Sequence, residues 1–143
     1  MSRILLLGAF LFFITPVQAA EAELPAEDPR YDLNIKGADR AQFLSEMRQM
    51  LASIQGVLEG IAEEDREKIK KAARYSGMRM ARATPAHVRA SLPAEFKQIG
   101  GPTHQTFEEI VVRADTDEME DLVALTAELM QNCLSCHEQF RAD

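Results

Sequence analysis

Tryptophan is absent from this chain, and glycine and proline are sparse at seven and six residues. That scarcity argues against a disordered or fibrous, repetitive chain. Basic residues are also short, 16 against 23 acidic, for a net charge of -7. Such a balance excludes a phosphate-neutralising surface for nucleic acid and turns the protein towards basic partners, mainly through encounter rate. No stretch alternates polar and apolar residues over a useful length, so no strands are expected. No Ser-His-Asp set, glycine-rich phosphate loop or paired-carboxylate site stands out, and acid pairs such as Glu63-Glu64 and Glu108-Glu109 read as solvated helix faces. What remains, 143 residues with 46% hydrophobic and 27% charged, suits one soluble globular domain.

The longest apolar run, Ile4 to Ile14, is too short to cross a hydrocarbon layer of about 30 Å that needs about 20 residues. With Arg3 before it, Thr15-Pro16 ending it and Val17-Gln18-Ala19 following, it reads as a signal peptide spanning 1–19, cleaved after Ala19 with Ala20 the alternative. No cysteine stands directly after the run, which argues against a lipid anchor. The expectation is an exported, periplasmic protein with no stable membrane anchor. Residues 20–38, acidic and interrupted by Pro25 and Pro29, read as a loosely ordered leader before a domain over 39–143.

From Asp39, a plausible N-cap, Leu44, Met47, Leu51, Ile54, Leu58 and Ile61 step by three and four along one helix face, widened by Phe43, Met50 and Val57. A second helix over about 64–83 turns Ile69, Ala72, Ala73, Ser76 and Met80 inward. Its remaining surface is crowded by Arg66, Lys68, Lys70, Lys71, Arg74, Arg79 and Arg82, a solvated face and the best local docking patch on an acidic protein. Thr84-Pro85 stops it. Residues 85–102 read as a connector with one or two short helical turns, and a third helix opens near Pro102 or Thr103 with Phe107, Ile110, Val111 and Ala114 inward. Asp115-Thr116-Asp117 is a turn, and Asp117 with Glu120 resembles a capping box. On the last helix Leu122, Leu125, Leu129, Cys133, Cys136 and Phe140 share a face. Four amphipathic segments joined by short connections predict an all-α antiparallel four-helix bundle.

The only two cysteines fall in Cys133-Leu134-Ser135-Cys136-His137, the Cys-x-x-Cys-His arrangement of covalent heme attachment. On a helix, positions i and i+3 share a face, so both thiols reach vinyl groups on one porphyrin edge. His137 can then bring its imidazole to the iron as an axial ligand. A disulfide would suit an exported protein but strains across three helical residues. A thioredoxin-like pair wants a βαβ context, and zinc would need His87 or His104 recruited from afar. The export signal and the motif, found separately, demand the same compartment.

A Cys-x-x-Cys-His on the last helix, followed by Phe140 and Arg141, resembles the cytochrome c′ family of class II c-type cytochromes. The resemblance rests on the bundle architecture and, by specific motif, on the last eleven residues. It implies a four-helix bundle holding one covalent heme c per chain, with Phe140 on the macrocycle and Arg141 near a propionate. Arg40 resembles the basic residue the family uses near the heme edge. The family's distal side is lined by the first helix, and its members either place a methionine on the iron or leave the sixth position open under an apolar side chain. Met47, with Met50 beside it, is the candidate sixth ligand, and a thioether there raises the reduction potential; methionines also fill core gaps. Leu44 would instead cover an open site, a register that Arg40, one turn earlier, favours. His87 and His104 could also reach the iron, but both read first as surface or capping residues. The expected function is electron transfer with periplasmic redox proteins, without an enzymatic reaction. Binding of NO or CO at five-coordinate iron is the alternative. A peroxidase, needing a distal acid–base group that only His104 offers, is the third reading. Dimers are common in the family, which makes a homodimer an expected form.

Overall fold

The structure, a computed structural model, describes residues 27–143, so the expected signal peptide lies outside the described residues. In chain order the elements are β1 (Tyr31–Asp32), α1 (Gly37–Ala62), α2 (Arg66–Arg74), α3 (Met78–Ala83), α4 (Ala86–Ser91), α5 (Ala94–Arg113), α6 (Met119–Gln139) and β2 (Phe140–Arg141). The fold is all-α apart from the pairing of β1 and β2, a two-residue parallel bridge. Among the described residues no helix is long and apolar enough to cross a membrane.

Helix α1 packs on α2, α2 on α5, α5 on α6, and α6 back on α1. The face of α1 that enters this core differs from the expected stripe. Met50, Ser53, Ile54, Val57, Gly60 and Ile61 are buried, whereas Leu51 is 65% and Leu58 42% exposed. The cause is the close approach of α2. A Cβ on Gly56 would lie 2.8 Å from the Ala72 Cβ, and one on Gly60 would lie 2.7 Å from Ile69 Cγ1. Small residues, invisible to a hydropathy stripe, set the contact and rotate the helix towards them. The helix begins at Gly37, and Asp39 lies in its first turn rather than at the N-cap, which is Lys36. A carboxylate there still complements the positive end of the helix dipole.

The expected second helix is broken. Asp65 caps α2 by accepting from the Lys68 N–H at 2.9 Å, and Tyr75–Gly77 separates α2 from α3. Its inward face is as expected, with Ile69, Ala73 and Ser76 fully buried. The third helix starts eight residues earlier than Pro102, at Ala94, and carries Pro102 in its interior. Proline there removes one helical hydrogen bond, a cost of about 3 kcal/mol. Packing sustains the helix regardless: Phe107 and Ile110 have no exposed surface, and each such burial contributes about 1.5–3 kcal/mol. The turn before α6 forms as expected, but no capping box does. Asp117 pairs with Arg113 instead, and the N-cap Glu118 makes no side-chain cap bond.

Two apolar clusters result. The larger joins Met50, Ile54, Val57 and Ile61 of α1 to Ile69, Phe107, Ile110, Leu122, Leu125 and Leu129. The smaller gathers Leu33, Ile35, Val88, Leu92 and Phe140, with Phe43, Phe96, Ile99 and Cys136 against it. The expectation of a loose leader over 20–38 therefore does not hold for residues 31–35. Leu33 and Ile35 are 6% and 5% exposed, and the Leu33 N–H donates to the Arg141 carbonyl at 2.9 Å. Phe140 lies beyond the end of α6, in β2, rather than on the helix face.

Candidate functional site

Between the two clusters lies a cavity of about 460 Å³, within the range of small-molecule and cofactor pockets. Helix α6 brings Cys133, Cys136 and His137 to its wall, so all three motif residues meet one space. Cys133 packs against the larger cluster and Cys136 against the smaller, so the motif bridges the two. Both thiols are free, and the Cys133 thiol donates to the Leu129 carbonyl one turn back. Burial raises the Cys133 thiol above its ordinary value. Burial, with Cys133 adding to it, pushes Cys136 up to about 11. These are neutral thiols at neutral pH, unlike the acidified cysteines of dithiol redox sites. Among the described residues no three of His, Cys, Asp and Glu gather to hold a metal ion.

The facing wall comes from α1 with Phe43, Met47, Met50, Leu51 and Ile54, and from α5 with Phe96, Gly100, Gly101, Thr103 and His104. Both expected methionine candidates, Met47 and Met50, thus reach the cavity. Leu44 is half-buried on α1 and is not among the lining residues. Three other expected residues stand behind or beside the wall. Phe140 packs edge-on against Phe96 at 5.4 Å between ring centres, and Phe96, not Phe140, faces the cavity together with Phe43. Arg40 donates through Nε to the Ala142 carbonyl at 3.0 Å. Arg141 donates to the Arg30 carbonyl at 3.2 Å and pairs with Asp143. Arg40 thus fastens the chain's end to α1, and Arg141 fastens it to the leader. His87 donates to Asp39 at 2.8 Å on the surface, a structural role as expected.

Sequence reasoning missed the cations of this site. Arg48, Arg89 and Lys97 line the cavity, with Glu46. Among the described residues none of the three cations joins an ion pair, whereas Lys68 and Lys70 of the basic second helix are paired with Glu59, Glu63, Glu67 and Asp115. An apolar pocket edged by spare cations suits a ligand with an apolar body and an anionic end. Phe96 and Lys97 were hidden because residues 85–102 read as a connector. The inward steps Phe96, Ile99, Phe107 and Ile110, with Thr103 between them, carried the helical signal, but Gly100-Gly101-Pro102 read as a breaker across it.

Comparisons with models of known families, with curated proteins and with solved structures find no match for this chain.

Proposed function

We propose that this chain is an exported, periplasmic monoheme c-type cytochrome that carries electrons between partner proteins. Its helices α1, α2, α5 and α6 would form an antiparallel four-helix bundle of the cytochrome c′ kind. One observation carries the reading: the two cysteines and the histidine of the only Cys-x-x-Cys-His line one largely apolar cavity between two cores.

The residues present fit a covalent heme. Cys133 and Cys136 would hold it by thioether links, and His137 would ligate its iron. Phe43, Phe96, Leu51 and Ile54 would cover the macrocycle and exclude water. Arg48, Arg89 and Lys97 would take the propionates, the role the family resemblance gave to Arg141. Exposed apolar side chains at the wall, Leu51 at 65% and Met130 at 38%, gain a partner in this arrangement. Bound here, heme supplies a one-electron Fe(III)/Fe(II) couple, and the protein tunes it by ligand choice and burial.

A sixth ligand from the wall supports electron transfer over gas binding. Met47 and Met50 both reach the cavity, whereas Leu44, the side chain expected over an open position, does not. An optical spectrum tests this. The reduced protein is expected to show sharp, split α and β bands unchanged by CO. Broad high-spin bands that shift at once under CO would replace the carrier with the NO- or CO-binding alternative.

A further inference from the structure

His104 lies on the cavity wall with its ring held in one orientation. Its Nδ1 is 2.7 Å from the Ser76 carbonyl oxygen. A carbonyl only accepts, so Nδ1 is the donor, and in that tautomer the lone pair is on Nε2.

The anchor of this ring is built into the fold. In an unbroken helix the Met80 N–H would bond to the Ser76 carbonyl; at the Tyr75–Gly77 break it bonds to Gly77 at 2.9 Å, leaving that carbonyl for His104. Ser76 is fully buried, and its hydroxyl donates to the Ser53 hydroxyl of α1 at 2.8 Å. One turn along α5 from His104, the Glu108 carboxylate accepts from the Met78 N–H at 2.8 Å. The break and the start of α3 are thus fastened to α5 at two successive turns. An imidazole whose second nitrogen donates to a backbone carbonyl is the arrangement that presents metal-ligating histidines, fixing tautomer and ring together.

We infer that His104, through Nε2, is the second axial ligand of the heme iron, in place of Met47 or Met50. The inference rests on the heme reading above. Met50 is already buried in the larger cluster at 7% exposure, and Met47 packs against it, so both have an apolar role without a metal. The Ser76–His104 pair has a polar geometry that dispersion does not require.

The test uses the heme-loaded protein from a host competent in heme maturation. A near-infrared spectrum of the ferric form is expected to show the bis-imidazole band, with no methionine–iron charge-transfer band. His104→Ala is expected to lose that band, become high-spin and bind CO; added imidazole is expected to restore the low-spin spectrum. Met47→Leu and Met50→Leu are expected to leave the spectrum unchanged. A methionine–iron band lost in either methionine variant would overturn the inference, as would a high-spin wild type that His104→Ala does not alter. Should His104→Ala fold poorly, the wild-type spectrum decides alone. A protein of bare polypeptide mass fails the heme reading itself, whereas a wrong ligand leaves the heme mass in place.

Discussion

Leu51 offers a way to ask whether the cavity is filled in the working protein. It is 65% exposed on α1 and lines the cavity; Val112, on α5, is 71% exposed and is not among the lining residues. With nothing bound, Leu51→Gln and Val112→Gln are both surface changes, each within about 0.5 kcal/mol. Heme in the cavity would cover the exposed two-thirds of Leu51 and leave Val112 in water. Complete burial of a leucine is worth about 1.5–3 kcal/mol, so this cover is worth about 1–2 kcal/mol. With a urea slope of about 1.5 kcal/mol per molar, the unfolding midpoint of heme-loaded Leu51→Gln should fall by about 0.7–1.3 M. That of Val112→Gln should stay within about 0.3 M. Urea unfolding followed by far-ultraviolet circular dichroism reads both. Equal shifts in the two variants would refute the claim that a ligand covers Leu51.

Gly60→Ala places a methyl group 2.7 Å from Ile69 Cγ1 and 2.9 Å from the Ile69 nitrogen. Backbone must move, and denaturant unfolding should show a loss of about 1–3 kcal/mol. Phe140→Ala empties a site 8% exposed against Phe96 and Tyr31; a cost of about 3–5 kcal/mol is expected, with faster hydrogen exchange at the Leu33 amide. Arg30 holds the Asp28 carboxyl well below its ordinary range, at about 2 instead of 3.8. Because the folded value is depressed, the stabilisation from this pair is present above the unfolded value and is lost as pH falls through about 2. A carboxyl titration by nuclear magnetic resonance should place the Asp28 midpoint near 2; a midpoint near 3.8 would show that the pair does not form in solution.

Local chemistry was legible where side chains announce their own environment. The inward faces of α2, α5 and α6 follow from apolar spacing, as Ile69, Phe107, Ile110, Leu122, Leu125 and Leu129 show. The face of α1 did not, because Gly56 and Gly60 act through what they lack. The leader did not either: Leu33 and Ile35 are too few to form a periodic signal, and their burial depends on Phe140, distant in sequence. The same limit explains the site. Cys133, Cys136 and His137 were readable because three residues in one helical turn carry the chemistry together. Arg48, Arg89, Lys97 and Phe96 come from separate elements and meet only through tertiary packing. His104 was visible as a histidine, but its orientation is set by a helix break at Tyr75–Gly77 that no proline marks.

Whether heme is covalently attached is read from the intact mass of the protein made in cells able to attach it. A chain heavier than its polypeptide by one heme is expected, with Soret absorbance that stays with the polypeptide on denaturation; replacing both Cys133 and Cys136 by alanine is expected to remove the added mass. A polypeptide of unmodified mass with no Soret band would contradict the heme reading.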